Sequence, residues 1–311
     1  MSSSHMPGRI ILILATFVFY LVTIAINALA ATGGVALGLF KNDTGAISDA
    51  YYLEITPAGW TFSVWGAIYI WQALWLIYGL STTCRMQDGH YLYTLDFMPP
   101  AVYAIFIINL CCNMVWLFLW DRQYLIAALC LIAMTPFTLY CTLYFSFSRL
   151  YRNLSYMTKR ALGKDVWLVR LLVQNGMAFY ATWTSVATLL NFGMVLAYKA
   201  GLEQDVVSTA MLTIVAVEVV FWFISDVILF DKYTRYIFSP YIMQVIAFSG
   251  VVSRNYNLDT MYRNSIFMLT LLIVAAVMLV LKVLILFFRH FTSPIKPKDN
   301  NYPTSLVNLK I

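Results

Sequence analysis

Long apolar runs alternate with short polar ones along the whole chain, and most of the runs approach the ~20 residues that a bilayer core requires. The pattern predicts about eight membrane helices, with boundaries good to a few residues. They are roughly Ile10–Ala31, Gly59–Leu80, Phe97–Trp120, Tyr124–Phe147, Leu171–Tyr198, Val206–Phe230, Tyr236–Val252 and Ser265–Phe288. The seventh is the weakest, because Ser239, Pro240 and Gln244 dilute it. The polar stretch Thr32 to Thr56, loop one, is the longest connection and holds Gly33-Gly34 and several acidic residues. A loop of that length between spans reads as a lid or binding element. Pro57 suits a helix start, where its missing N–H is not needed. Pro136 and Pro240 predict kinks in the fourth and seventh spans.

Within these runs, hydrogen-bonding and aromatic residues recur at helical spacing. The first span carries Thr16, Tyr20, Thr23 and Asn27; the second Thr61, Phe62, Trp65, Tyr69 and Gln72. The third carries Asn109, Asn113, Trp116 and Trp120, and the fifth Tyr180, Trp183, Ala187 and Asn191. Each set falls near one helix face. Trp65, Asn113 and Asn191 come out ~10–12 Å below one end of their helices at 1.5 Å per residue, with Asn27 shallower. A polar group facing lipid is costly, so these faces should look inward. Single Asn and Thr residues commonly serve as helix-to-helix glue, typically for ~0.6 kcal/mol. Several stripes meeting at one depth with many rings favour a cavity under loop one, since small-molecule sites are mostly apolar with a few placed polar groups.

Composition narrows the class. Of 311 residues, 61% are hydrophobic and 11% charged, against about a quarter charged in soluble domains. The chain therefore reads as an all-α, polytopic membrane bundle embedded in a lipid bilayer, and its net charge of +6 does not point to nucleic acid. The five cysteines form no CxxC pair, and His5, His90 and His290 lie near or outside the membrane boundaries. No metal site, disulfide framework or catalytic constellation is expected.

Basic residues set the expected orientation. Arg149, Arg152, Lys159, Arg160 and Lys164 in the fourth loop share a side with Arg289, Lys296, Lys298 and Lys310 of the tail. By the positive-inside rule both termini are cytoplasmic and loop one is extracytoplasmic. Residues 1–8 read as a leader and 291–311 as a cytoplasmic tail.

Three ordered motifs resemble the translocator protein superfamily, also called the peripheral-type benzodiazepine receptor or tryptophan-rich sensory protein family. They are Pro57-Ala-Gly-Trp60-x-Phe62-x-x-Trp65-x-x-x-Tyr69, Asn113-x-x-Trp116, and Tyr180-x-x-Trp183-x-x-x-Ala187-Thr188-x-x-Asn191. The resemblance covers roughly Arg9 to Lys199 and implies a five-helix core, 9–199, with a pocket closed by loop one. It further implies a hydrophobic small-molecule partner, with a porphyrin as candidate ligand, and leaves a homodimer open. By motif position Trp65, Asn113, Trp116, Trp183 and Ala187 would line the pocket, with Tyr69 and Asn191 nearby. The chain departs from the pattern in having a single Pro57 and about three further helices over 200–290. A longer, tryptophan-rich branch of the family is similar in this.

The further helices hold Glu218 and Asp226 inside the sixth span. A mid-bilayer carboxylate costs roughly 2.5–3.5 kcal/mol on insertion scales, so it is paired, neutral or functional. Glu218 is placed near the membrane centre, as a buried hydrogen bond or a proton relay. Asp226 is placed to meet Lys232 or Arg235, and Lys282 to snorkel. Two readings follow: a non-enzymatic receptor or carrier of a flat hydrophobic molecule, and a proton-coupled transporter using Glu218 with Asp226.

Overall fold

The computed structural model describes residues 5–33, 37–256 and 262–295. In chain order the helices are α1 (Pro7–Ala28), α2 (Thr44–Ala50), α3 (Val64–Cys84), α4 (Pro100–Asp121), α5 (Leu125–Lys159), α6 (Gly163–Leu168), α7 (Asn175–Tyr198), α8 (Gln204–Ile224), α9 (Asp231–Thr234), α10 (Ser239–Asn255) and α11 (Arg263–Thr292). A 3₁₀ turn, Gly59–Ser63, leads into α3, and a wide π turn, Val169–Gln174, joins α6 to α7. A second π turn, Ser225–Leu229, ends α8. Between α3 and α4 sits a two-stranded hairpin, β1 (Met86–Gln87) with β2 (His90–Tyr91). Its turn, Asp88-Gly89, has φ of 50° and 79°, the left-handed pair that a two-residue hairpin requires.

Seven helical segments are long and apolar enough to cross a membrane. The remaining expected crossing is α10, at 17 residues. It nonetheless runs from one face to the other. Its first residue, Ser239, bonds to Asn175 near the start of α7, and its last, Asn255, bonds to Thr56 in loop one. Pro240 lies in the first turn of α10, so it starts that helix rather than kinking it. Pro136 lies inside α5. The carbonyl of Ile132, which a proline cannot reach, accepts instead from the Thr135 hydroxyl at 2.7 Å and from Thr188 of α7 at 3.2 Å. Neighbouring hydroxyls commonly replace such a bond in membrane helices.

α3, α1, α4, α5 and α7 contact one another in that cyclic order and form the core; α10 and α8 pack on α7, and α11 on both. At the loop-one end α10 also wedges against the turn before α3. Gly250 makes this approach feasible, because a Cβ there would lie 2.5 Å from Thr61 Oγ1. The buried apolar residues fall into two clusters. One, with Trp75, Phe97, Phe106 and Val173, fills the half away from loop one. The other, with Phe40, Leu53, Trp116, Met211 and Phe248, fills the loop-one half and reaches into the further helices.

The described ends of the chain lie on the same face, opposite loop one. Met6 N–H donates to Tyr93 beside α4, and Arg235 donates to the Ser293 carbonyl. The tail lysines Lys296, Lys298 and Lys310, and Gly34 of loop one, lie outside the described residues.

Candidate functional site

Under loop one lies a cavity of about 80 Å³. The core supplies Phe62 and Trp65 at the start of α3, Trp116 and Trp120 of α4, and Trp183, Ala187 and Asn191 of α7. Loop one supplies Thr44, Ser48, Ile55 and Pro57. The rest of the wall belongs to the further helices: Met211, Leu212 and Val215 of α8, Ala247, Phe248 and Val251 of α10, and Met268 of α11. Three core helices, α3, α4 and α7, thus share the wall with α8, α10 and α11, which close the side that the core leaves open. No charged side chain lines it.

Trp65 is the centre of an aromatic group. Its ring stacks on Tyr69 at 5.7 Å and meets Tyr180 and Trp183 edge-on at 5.9 and 6.1 Å. Trp116 stacks on Trp120 at 5.7 Å. Such pairs prefer stacked or edge-to-face geometry, and here they fix the rings of three helices at one level.

Of the residues singled out in the sequence, the structure brings Trp65, Trp116, Trp183, Ala187 and Asn191 to the cavity wall. Tyr69 and Tyr180 stand behind Trp65. Asn27 and Asn113 face each other instead. Asn27 Nδ2 donates to Asn113 Oδ1 at 2.8 Å, joining α1 to α4. Asn109, in the same stripe as Asn113, donates to the Thr135 carbonyl and Thr138 hydroxyl of α5 at 2.8 and 2.9 Å.

Hydrogen bonding separates the wall from its surroundings. Ser48, Trp116, Trp183 and Asn191 are all wall residues, and each carries a buried polar atom with no partner: Oγ, Nε1, Nε1 and Oδ1 respectively. Behind them Tyr69 Oη, Asn113 Nδ2 and Tyr180 Oη are also unpaired. Buried polar groups are nearly always bonded, and an orphan costs ~1–3 kcal/mol. Others lie apart from the cavity, among them Asn109 Oδ1, Trp222 Nε1 and Asp226 Oδ1. Ser48 carried no periodic signal, and neither did Met211, Phe248 or Met268, which are apolar residues in apolar helices.

Loop one is clasped from several helices. Asp121 at the end of α4 accepts from the backbone N–H groups of Lys41 and Asn42 at 2.7 and 2.9 Å. Asn264 of α11 donates to Glu54 at 2.5 Å, and Arg254 of α10 pairs with Asp49 at 2.6 Å. Tyr52 donates to Asn255 at 2.7 Å. Burial pushes the Tyr52 phenol above its ordinary value, which keeps that proton in place.

The acidic residues of the sixth span lie apart from this cavity. Glu218 is on an exposed face of α8 rather than in the interior, so the buried hydrogen bond expected for it is not formed. Asp226 is fully buried and pairs with neither Lys232 nor Arg235. Its Oδ2 accepts from Lys282 Nζ at 2.7 Å and from Tyr241 Oη at 2.6 Å. Lys282 therefore does not snorkel; its side chain is 3% exposed. Arg235 instead pairs with Asp231, as does Arg289 at 2.8 Å. Burial acts to raise the Asp231 carboxyl, but the bonds from Arg235 and Arg289 outweigh it and hold the group below the ordinary carboxylate value.

A family model described as TSPO-like protein matches residues 12–287. The chain belongs to that family, and the match runs through α8 and α10 into α11 rather than ending with the core. Nothing matches the chain among curated proteins or among solved structures.

Proposed function

We propose that this TSPO-like membrane protein is a non-enzymatic receptor or carrier that holds a hydrophobic small molecule, porphyrin-like or another flat lipid-soluble compound, in the cavity under loop one. The observation that carries the reading is the set of unpaired, buried polar atoms on Ser48, Trp116, Trp183 and Asn191 around an otherwise apolar hollow. Two indole N–H groups call for an acceptor on the guest, such as a carbonyl or ring nitrogen. Asn191 Oδ1 can take a donor. With no charge in the wall, an uncharged guest is favoured, and any carboxylate must stay at the mouth, because an unpaired buried charge is costly.

At about 80 Å³ the cavity is smaller than the ~150 Å³ hollow that accepts benzene. A flat ring system therefore enters only if a wall yields. Loop one is the wall held largely by hydrogen bonds and ion pairs rather than by a membrane crossing, so the reading includes its displacement on binding. Purified protein should show saturable tryptophan quenching by protoporphyrin and by its uncharged dimethyl ester, the ester binding at least as tightly. Trp65→Ala should weaken both. Quenching that never saturates with either compound, or that ignores Trp65→Ala, would sink the proposal.

A further inference from the structure

On the face opposite loop one, the half-buried Arg170 has no anionic partner among the described residues. It lies in the π turn between α6 and α7. Its guanidinium sits 4.3 Å from the centre of the Tyr236 ring and 5.2 Å from that of Trp167. Those two rings meet edge-on at 4.8 Å. Among the described residues Arg170 has rings against its faces but no carboxylate and no carbonyl acceptor. Most of its neighbours on this face are engaged: Arg85 by Asp165, Arg149 by Asp96, Arg235 and Arg289 by Asp231, and Lys282 by Asp226, while Lys232 lies over the Tyr151 and Tyr233 rings. Stacking uses the face of a guanidinium and leaves its edge N–H groups free.

The level and the surroundings say what those groups can meet. Arg170 lies about two turns from the start of α6, roughly 10 Å at 1.5 Å per residue, and helix side chains lean toward the N-terminus. That carries its head toward the Arg85–Asp165 pair, just past the end of α3. This is the depth at which a membrane helix leaves hydrocarbon for the headgroup region. Trp167 and Leu171, which flank Arg170, are exposed on the outer surface of the bundle, so lipid can reach the cluster. His290 of α11 closes it, with Nδ1 3.0 Å from Tyr236 Oη. If the phenol donates to Nδ1, the opposite ring nitrogen carries a proton and offers a second donor.

We propose that Arg170, Trp167 and His290 form a binding site for a phosphoryl group, supplied by an anionic phospholipid of the leaflet opposite loop one. A planar guanidinium edge matches two phosphate oxygens at once. An uncompensated positive charge favours a headgroup with net negative charge over a zwitterionic one. The site is remote from the cavity, so it stands or falls independently of the small-molecule reading.

The test is native mass spectrometry of the full chain, released from detergent carrying phosphatidylglycerol or phosphatidylcholine, with inorganic phosphate as a separate arm. The wild type should retain one phosphatidylglycerol in preference to phosphatidylcholine. Arg170→Gln should lower that retention about tenfold, in line with loss of hydrogen bonds to a charged group. Arg170→Lys, which keeps the charge and loses the fork, should fall between. His290→Ala gives a second variant in case substitution at Arg170 disturbs folding, and should lower retention by a smaller factor. Saturable inorganic phosphate binding that displaces no lipid, yet is lost in Arg170→Gln, would keep the phosphoryl site and overturn the lipid as its source. Equal retention of the two lipids by the wild type, or an unchanged preference in both Arg170→Gln and His290→Ala, would overturn the site itself.

Discussion

At Gln72 of α3 the side chain donates to the Gly176 carbonyl at 3.0 Å and accepts from Trp75 at 2.7 Å. Two turns nearer loop one, the indole of Trp183 points its N–H at nothing. Both residues are buried, both face into the bundle, and both come from stripes of the same kind. What separates them is closure. Away from loop one, several polar side chains tie elements together: Asn175 holds Tyr236, Phe238 and Ser239, and Asp226 holds Lys282 and Tyr241 through Oδ2, though its Oδ1 is unpaired. Under loop one, donors and acceptors border a hollow and stay open. Polarity that is closed fixes the fold; polarity that is left open is what the proposed binding role would use.

The largest effect that would break this contrast is at Lys282. Lys282→Ala leaves Asp226 buried without its cation and should cost about 3–5 kcal/mol, read as a fall in the midpoint of denaturant or thermal unfolding. Ligand affinity of the fraction still folded should be unchanged. Gln72→Leu comes next. It removes two closed hydrogen bonds and leaves the buried Trp75 indole N–H without its acceptor, for a loss of about 1–3 kcal/mol in the same assay. Trp183→Phe sharpens the comparison from the other side. It keeps a ring and deletes an N–H that has no partner, so relief of the orphan donor offsets much of the packing lost with the smaller ring, and stability should fall by no more than about 1 kcal/mol. Affinity for an acceptor-bearing guest should fall about tenfold by fluorescence titration. A Trp183→Phe protein that is clearly destabilised and binds normally would reverse the assignment of the two regions.

Much of this division could be read from the chain, though not its boundary. Trp65, Trp116, Trp183 and Asn191 announce themselves because polar and aromatic residues at 3.6-residue spacing stand out in apolar helices. The same spacing flags Asn27 and Asn113, and it cannot separate a residue that bonds across helices from one that faces a hollow. That distinction depends on a partner 86 residues away. The Asp226–Lys282 pair spans 56 residues, and nearby Lys232 and Arg235 were the more obvious partners by proximity in sequence. The contribution of Met211, Phe248 and Met268 to the cavity had no mark at all, because uniform hydrophobicity hides which face of a helix is turned inward. The Asp88-Gly89 turn did carry a recognisable signal, in a connection too short to draw attention beside the long spans.

Two smaller effects test the edges of the contrast. Asp231 has a carboxyl held below its ordinary value, so the stability it contributes is present above the unfolded carboxyl pKa of about 3.9. That contribution is lost as pH falls through the lower folded value. Unfolding midpoints measured from pH 6 down to pH 3 should decline more steeply in the wild type than in Asp231→Asn. Smallest of all, Arg254→Ala removes a rim ion pair whose Asp49 partner is 61% exposed, worth under about 1 kcal/mol. Its expected signature is faster ligand release in stopped-flow quenching, with little change in folding.

The brevity of α10 has a consequence for how the molecule is made. Seventeen residues span only about 25 Å at 1.5 Å per residue, and Ser239, Gln244 and Asn255 are among them. Such a segment partitions weakly into membrane as it leaves the ribosome. Its place is secured by neighbours, with Asn175 waiting at one end and loop one at the other. α10 should therefore be the last crossing to settle, arriving once α11 has emerged to hold it, and the cavity it walls off should exist only when synthesis is nearly complete.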